Sequence, residues 1–440
     1  EVPKGWEWCR VRDIAAVKGG KRLPKGVGFS PCRTAHAYIR VTDMKNHSIN
    51  TDDLKYISEE VFLQIKNYTI SKDDLYVTIA GTIGVTGEVP TELDGMNLTE
   101  NAVKITNIQI NKTYLCLIIQ SEFVQQQFQD KTHQVAMPKL ALERILSTLI
   151  PVCTITTQSA MVSKFVEMDS LINQIREEKE ILAETVSLTK SKILDLAIRG
   201  QLVPQDPNDE PASVLLERIR AEKEELIKAG KIKRDKKESI IFRGEDNSYY
   251  QQTGTLIENI NDWNLDDIPI NWELCCLGEI CDYGNCVNVD TKDIDEEAWV
   301  LDLEDIEKDS GKVIHKIRKY ERDSSSTKHL FKKGQVLYSK LRPYLNKVVL
   351  ADEEGFCTSE ILPLNFSNVV EPQYALYYLM SPTFLKYANR CSYGVKMPRL
   401  GTADGRKAVF PLPPFEEQRR ISQHISKIFI EIDNISNMLL

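Results

Sequence analysis

The chain has 440 residues, enough for two to four domains, and its 42% hydrophobic and 27% charged residues are typical of an ordinary soluble globular protein. It lacks a run of about 18 apolar residues, which excludes a membrane-spanning helix. Ten cysteines without a Cys-x-x-Cys pair argue against a zinc site and against a secreted disulfide scaffold. We therefore expect reduced thiols, a cytoplasmic location, and no metal or cofactor.

The net charge of −8 is distributed unevenly along the chain. Residues 10–45 contain nine Lys/Arg and two acids, and residues 312–347 contain eleven Lys/Arg and two acids. Binding of phosphate depends on such local patches rather than on the total charge. A single basic run is usually a solvated surface, but two runs in matching halves of a repeat favour nucleic-acid binding.

The first half of the chain contains a motif that returns 260 residues later. Met-Pro-basic-Leu occupies 137–140 and 397–400, and in both places a proline and then a glutamine follow, at 151 and 158 and at 411 and 418. Further segments match in pairs: VPKGWEWCRVRDI with IPINWELCCLGEI, ISKDDLYVTIAGTIGVTGEV with FKKGQVLYSKLRPYLNKVVL, and LTENAVKI with CTSEILPL.

Short β-branched or aromatic runs between turn residues predict strands in both halves, with helices over 113–130 and 372–388. The fold class is therefore α+β: residues 1–157 and 263–417 are two similar β-rich α/β domains.

Each domain precedes an amphipathic helix. Residues 158–199 contain no Gly or Pro, and apolar residues follow a heptad pattern that returns after residue 418 in the same phase. The predicted coiled-coil seam comprises Phe165, Met168, Ile172, Ile175, Leu182, Val186, Ile193 and Leu196, and Ile425, Ile428, Ile432, Ile435 and Leu439. Matched seams predict that the two helices pack on each other, and an antiparallel arrangement, which the family resemblance described below implies, would give a pseudo-two-fold axis. Because only 22 residues follow Gln418, we expect the spacer helix over 418–440 to be short or truncated.

The region over 158–262 is predicted to be helical at first and a linker at its end. Gly200 ends the long helix, and a second helix is predicted over 211–229, closed by Gly230. A basic run follows, and the polar, weakly patterned residues 238–262 indicate a loop or flexible tether.

Catalytic motifs are missing from the sequence. No G-x-x-x-x-G-K-[ST] loop is present. LPPF at 412–415 resembles an adenine methyltransferase motif, but Leu412 cannot accept the hydrogen bond from a target amino group. The six histidines form no His-x-x-x-His pair. We therefore expect no catalytic residues: the chain is predicted to recognise a partner rather than to be an enzyme.

Several segments together resemble one known family. They are YIRVTDMKN, LTENAVKI, LYSKLRPYLNKVVLAD, FPLPPFEEQRRI and the long central ILDLAIRGQLVPQDPNDEPASVLLERIRAEKEELIKAGKIKRDK. The chain resembles the specificity subunit of a type I restriction-modification system. The resemblance implies two target-recognition domains, each followed by a conserved helical region, and each reading one half of a bipartite double-stranded DNA target. It implies that the helices set the spacing and dock two methyltransferase subunits, and that restriction (motor-nuclease) subunits complete the complex.

Candidate DNA contacts lie in loops and turns that carry Arg, Lys, Asn, Tyr, Ser or Thr. Arg pairs bidentately with guanine and Asn with adenine, whereas other contacts reach phosphates. The candidates are Arg40, Thr42, Lys45, Thr78, Thr82, Thr99 and Lys139 in the first copy, and Lys340, Arg342, Tyr344, Asn346, Lys347, Ser359, Lys396 and Arg399 in the second. Two alternatives stay open: a scaffold of two protein-binding modules on a coiled-coil spacer, and a part of a fused restriction enzyme.

Overall fold

The computed structural model describes residues 2–129, 139–230, 238–263, 265, 268–322 and 326–439. It divides into two compact units, Glu1–Arg176 and Glu177–Leu440, which are described separately. Met137 and Pro138 of the repeated motif, and the basic run 231–237, lie outside the described residues. None of the described helices is both long and apolar enough to span a bilayer.

The first unit is rich in short strands. Its described strands are β1 (Glu7–Arg10), β2 (Ala16–Gly19), β3 (His36–Ile39), β4 (Met44–Lys45), β5 (Ser48–Ile49), β6 (Lys55–Ile57), β7 (Thr69–Ile70), β8 (Leu75–Thr78), β9 (Thr86–Glu88), β10 (Met96–Leu98), β11 (Ala102–Thr106) and β12 (Leu149–Val152). One sheet has the order β2-β11-β8-β9, another has the order β6-β3-β10-β7, and β1 pairs with β12. The β3–β10 pair is parallel, whereas β11 is antiparallel to β2 and β8.

The described helices that begin in the first unit are α1 (Val11–Ile14), α2 (Glu59–Ile65), α3 (Lys112–Gln120), α4 (Glu122–Gln129), α5 (Leu142–Leu146) and α6 (Ile155–Ile198), whose last part belongs to the second unit. Helices α3 and α4 pack on the first of these sheets, whereas α2 packs on the second. Alternate residues of β8 and β11, including Leu75 and Val103, pack with Leu115 of α3 and Phe128 of α4 in one buried core. This alternation is expected of strands with one face on a core.

The second unit contains a matching set of elements. Its described strands are β13 (Ser239–Arg243), β14 (Tyr249–Thr253), β15 (Leu256–Asn259), β16 (Glu273–Cys276), β17 (Val287–Val289), β18 (Trp299–Leu301), β19 (Lys328–Phe331), β20 (Val336–Ser339), β21 (Val348–Leu350), β22 (Gly355–Thr358), β23 (Ile361–Leu364) and β24 (Val409–Leu412). Its helices after α6 are α7 (Ala212–Lys228), α8 (Leu277–Ile280), α9 (Pro372–Met380), α10 (Pro382–Cys391), α11 (Thr402–Lys407) and α12 (Phe415–Leu439).

The strand registers of the two units match the sequence repeat. Thr78 of β8 lies opposite Ala102 of β11, and Ser339 of β20 lies opposite Ile361 of β23, which aligns LTENAVKI with CTSEILPL. The parallel β3–β10 pair likewise corresponds to the parallel β18–β22 pair. The predicted fold class is therefore confirmed: two β-rich domains, β1–β12 and β16–β24, are separated along the chain by a long helix.

Two helix predictions and one loop prediction were wrong in detail. The single helices expected over 113–130 and 372–388 are each broken, at Ser121 and Ser381, where the backbone is extended. Serine competes with helical hydrogen bonding by capping, and the Ser381 hydroxyl accepts from the Phe384 N–H at the start of α10. Residues 238–262 are not a loop, because β13, β14 and β15 form an antiparallel sheet there. Gln251 anchors this sheet by donating to the Lys407 carbonyl.

The repeated glutamine joins each domain to its exit helix. Gln158 accepts from the Asn111 N–H at 2.9 Å and donates to the Cys153 carbonyl at 2.7 Å. Gln418 accepts from the Glu371 N–H at 2.8 Å and donates to the Pro413 carbonyl at 2.9 Å. We call each arrangement a glutamine joint; because both side chains are buried, these hydrogen bonds replace lost hydration.

The end of α6 packs against α12 within the second unit. Lys190 makes an ion pair with Asp433, and further along the chain Gln205 donates to Glu417. Residue numbers therefore rise along one segment as they fall along the other, so the predicted antiparallel direction is confirmed here. Asp433 also accepts from Lys312 at 2.8 Å.

Burial differs along the predicted seam. Ile193 and Ile425 are buried in the core of the second unit. Leu182, Val186, Leu196, Ile428 and Ile432 are half-buried, whereas Phe165, Met168, Ile172, Ile175, Ile435 and Leu439 are exposed. Pairing of the exposed residues stays a prediction.

Candidate nucleic-acid interface

Three loops of the second β-rich domain are held together by main-chain hydrogen bonds. They are residues 339–347 after β20, residues 358–361 between β22 and β23, and residues 393–400 before α11. The Lys340 N–H donates to the Glu360 carbonyl at 3.0 Å, and the Leu400 N–H donates to the Lys340 carbonyl at 3.0 Å. The Arg342 N–H donates to the Pro398 carbonyl at 2.7 Å. We call this arrangement the three-loop cluster.

The first β-rich domain has the same arrangement. The Ile79 N–H donates to the Asn101 carbonyl at 2.8 Å, and the Leu140 N–H donates to the Ile79 carbonyl at 2.9 Å. The leucine of Met-Pro-basic-Leu is buried in both copies, at Leu140 and Leu400. The repeated motif therefore docks one loop onto the other two, while its basic residue stays at the surface.

The sequence shapes the turns of each cluster through small polar side chains. The buried Thr78 hydroxyl donates to the Thr82 carbonyl and accepts from the Val85 N–H, and the Ser339 hydroxyl donates to the Leu341 carbonyl. In the second copy two non-glycine residues have left-handed backbone, Arg342 at φ 50° and Asn346 at φ 47°. Such strain costs on the order of 1 kcal/mol and is concentrated at functional sites.

The structure brings most of the predicted DNA contacts into the two clusters. Thr78, Thr82, Thr99 and Lys139 lie in the first cluster, and Lys340, Arg342, Tyr344, Asn346, Lys347, Ser359, Lys396 and Arg399 lie in the second. Arg40 adjoins the first cluster, because the Thr99 N–H donates to the carbonyl of the preceding Ile39. Thr42 and Lys45 are separate, the latter on the exposed β4–β5 hairpin.

The predicted contacts differ in exposure. Thr42, Lys45, Thr82, Lys139, Tyr344, Ser359 and Lys396 are exposed; Arg40, Lys340, Arg342, Lys347 and Arg399 are half-buried; Thr78, Thr99 and Asn346 are buried. Asn346 uses its side-chain amide to donate to the Met380 carbonyl at 3.1 Å. Buried members of the set therefore shape the turns, and exposed members form the surface.

Ion pairs reduce the positive charge of the second basic run. Six of its eleven cations pair with carboxylates: Lys312, Lys316, Arg318, Lys319, Arg322 and Lys328. The other five make no ion pair with another described residue: Lys332, Lys333, Lys340, Arg342 and Lys347. Three of these five lie in the three-loop cluster, so the remaining positive charge of the run is concentrated there.

Arg399 is held by a carboxylate that the sequence analysis did not single out. Its guanidinium donates to Glu360 through Nε at 3.0 Å and through a terminal nitrogen at 2.9 Å. These hydrogen bonds hold the pKa of Glu360 below its usual range, so the pair is charged at neutral pH. The CTSEI segment contains Glu360, but its partner is 39 residues away in sequence, so the segment alone gave no signal.

A buried aspartate supports a turn beside each cluster through different arginines. Asp43 accepts from Arg40 in the first domain, whereas Asp305 accepts from Arg322 in the second. The position of Arg40 in the first copy is occupied by Asp302 in the second, since Ile39 and Leu301 end equivalent strands. This position therefore holds a cation in one copy and an anion in the other, and both are in ion pairs: Arg40 with Asp43 and Asp53, and Asp302 with Arg322 and Lys328.

Four cysteines are close together in the sequence: Cys275, Cys276, Cys281 and Cys286. Burial raises the pKa of each of these thiols. Among the residues that the structure describes, no group of three or more His, Cys, Asp or Glu side chains could hold a metal.

A family model described as the type I restriction modification DNA specificity domain matches residues 3–184 and 269–439. The chain belongs to this specificity family. The two matches contain the two copies of the three-loop cluster and the helices that leave each domain.

Named relatives of the specificity family are similar to part of the chain. The EcoAI specificity subunit of Escherichia coli is 30% identical over 260 residues, covering 56% of this chain and 40% of that protein. The EcoEI specificity subunit of Escherichia coli is 31% identical over 256 residues, again covering 56% and 40%. The chain thus spans about two fifths of the length of these curated relatives.

A solved structure described as "Structural basis underlying complex assembly and conformational transition of the type I R-M system" contains a chain with a similar fold. The TM-score is 0.57 at 15% identity, covering 100% of this chain and 94% of that chain.

Proposed function

We propose that the chain is a DNA-recognition subunit whose two β-rich domains each read one half of a bipartite double-stranded target. The observation that carries this proposal is the duplicated three-loop cluster. Two of its main-chain hydrogen bonds recur in both copies, whereas its surface side chains differ. A shared backbone arrangement that carries different side chains can recognise two different base sequences on duplexes of similar shape.

The surface chemistry supports two unlike half-sites. Equivalent positions hold Ile79 and Lys340 in one loop, and Asn101 and Glu360 in another. Asn recognises adenine, whereas the Glu360 carboxylate is already paired with Arg399, so the two copies present different groups at these positions. We propose that exposed cations position the backbone of DNA and that polar side chains of the clusters select its bases.

The proposed partners follow from the family. The specificity chain binds methyltransferase subunits through its helices, joins restriction subunits in the full complex, and leaves catalysis to both. The exposed apolar residues of α6, such as Phe165 and Ile172, supply a surface that such a partner would cover.

A salt titration of the chain assembled with its methyltransferase subunits tests DNA recognition. Affinity for a duplex carrying the methylated genomic site should fall steeply with salt, because each phosphate contact releases counterions. Lys340→Ala should reduce the salt slope by about 1. Lys333→Ala is the matched control, since Lys333 precedes β20 and Lys340 follows it at the other end of the same strand.

Two results would contradict the proposal. A flat salt dependence in the wild-type complex would favour a scaffold that binds only proteins. Equal slopes for the Lys340 and Lys333 variants would remove the three-loop cluster from the DNA interface. Mapping genomic methylation with and without the gene identifies the site needed for the probe.

A further inference from the structure

The third loop of the second cluster is a short hairpin with an apolar tip. Tyr393 and Arg399 exchange two main-chain hydrogen bonds, at 3.1 and 2.9 Å, and close a five-residue loop. Gly394 has φ 101°, a conformation that favours glycine, at the turn. The side chains of Tyr393, Val395 and Met397 are 63%, 101% and 45% exposed. We call residues 393–399 the apolar hairpin.

The base of the apolar hairpin is fixed on three sides. Glu360 holds the Arg399 guanidinium, and Pro398 accepts from the Arg342 N–H. Leu400, immediately after the hairpin, is buried and bonded to Lys340. Because its base is already fixed, the hairpin loses less conformational entropy on binding than a free loop would. The exposed tip is therefore preorganised for binding.

Charge around the hairpin indicates the kind of partner. Lys396 is exposed within the loop, and Lys340 and Arg342 lie in the adjoining loop without an ion pair to another described residue. An apolar partner pocket would leave these cations desolvated, whereas the edges of a DNA groove carry phosphates. An apolar tip within a basic rim therefore fits a DNA groove better than it fits a protein pocket.

The size of the apolar hairpin indicates which groove of DNA it can enter. The two segments at the closing bridge lie about 5.5 Å apart, as in any hydrogen-bonded antiparallel pair. The major groove is about 12 Å wide and admits a two-stranded ribbon, whereas the minor groove is about 6 Å wide. In the major groove the apolar feature of a base edge is the C5-methyl group of thymine.

We propose that the apolar hairpin enters the major groove of the half-site read by the second domain, where Val395 contacts a thymine methyl group. This proposal rests on the proposed function and adds a specificity-determining residue to it. It requires that this half-site contain at least one A·T pair. Met397 and Tyr393 shield the contact from water at the flanks of the tip.

Deoxyuridine tests the contact, because it lacks only the methyl group of thymidine. The full-length chain is assembled with its methyltransferase subunits, and each thymine of the mapped site is replaced in turn. One replacement should weaken wild-type binding about fourfold, the value of one buried methyl group. Val395→Ala should weaken binding to the unmodified site by a similar or larger factor. In the Val395→Ala complex, replacing that thymidine with deoxyuridine should then change the affinity less than 1.5-fold.

Ile257→Ala is the matched control, because Ile257 is 53% exposed on β15, in a separate sheet of the same unit. It should retain the full deoxyuridine effect. Equal deoxyuridine effects in wild type and Val395→Ala would overturn the proposal, and so would a half-site without A·T pairs. Loss of methyltransferase assembly in Val395→Ala would assign the hairpin to a protein partner instead. If the wild-type complex shows no sequence-specific binding, the proposed function itself fails.

Discussion

Gln418→Ala should loosen the second β-rich domain from its exit helix. The fully buried side chain accepts from the Glu371 N–H and donates to the carbonyls of Val369 and Pro413, at 2.8, 3.0 and 2.9 Å. Removing it leaves these three main-chain groups buried without a partner. At about 1 kcal/mol for each hydrogen bond, the free energy of unfolding of this unit should fall by about 3 kcal/mol. For a unit of this size, the melting temperature should fall by roughly 6–12 °C.

Hydrogen exchange with mass spectrometry checks both the size and the place of this effect. Exchange should increase in peptides covering α9, which begins one residue after Glu371, and in the first turns of α12. Gln158→Ala should have a smaller effect of about 2 kcal/mol in the first unit, because Gln158 makes two such hydrogen bonds. Gln252→Ala is the control, since its amide donates only to Gly254 at an exposed turn.

A loss of less than 1 kcal/mol in Gln418→Ala, or an even increase in exchange over the unit, would contradict a local role of Gln418. An even increase would mean that the glutamine contributes to general packing and not to the joint. A larger loss for Gln158→Ala than for Gln418→Ala would show that the count of hydrogen bonds does not set the energy.

Two further ion pairs give predictions. Asp305→Asn removes the buried partner of Arg322, whose guanidinium still pairs with Asp302 and Glu304, so the free energy of unfolding of the second unit should fall by about 2 kcal/mol in urea unfolding; an unchanged midpoint would contradict this. Burial alone would raise the pKa of Asp433, but hydrogen bonds from Lys190 and Lys312 lower it overall. Its stabilising contribution is therefore complete above the unfolded value near 4 and is lost as pH falls through the lower folded value. Hydrogen exchange in α12 should increase below about pH 4 in the wild type. In Asp433→Asn this increase at low pH should be absent.

The repeat was visible in the sequence because its markers have structural roles that tolerate few substitutes. Only a side chain with both an amide donor and an acceptor can make the contacts of Gln158 and Gln418, and the leucine of Met-Pro-basic-Leu fills a buried position. The correspondence of β11 with β23 followed from the alignment of LTENAVKI with CTSEILPL. The phase of the apolar residues predicted that the two helices pack on each other, and the family resemblance implied their antiparallel direction.

Other features depend on contacts that are distant in sequence. The breaks at Ser121 and Ser381 occur inside apolar helical patterns, where a serine alone does not distinguish a break from a surface position. The β13–β15 sheet was missed because its buried face carries the polar Ser239 and Gln251 beside the apolar Ile241, so no apolar alternation marks its strands. The pairing of Arg399 with Glu360, which lowers the free positive charge of the cluster, joins two segments that no local pattern connects.

The glutamine joints touch only main-chain atoms of the domains that they hold: the N–H groups of Asn111 and Glu371 and the carbonyls of Cys153, Val369 and Pro413. Every amino-acid sequence that folds in this way presents the same atoms at the same places. The hydrogen bonds of the joint therefore do not depend on the side chains of the domain. Recombination at these two glutamines should exchange one β-rich domain for another without any change in the helix that follows it.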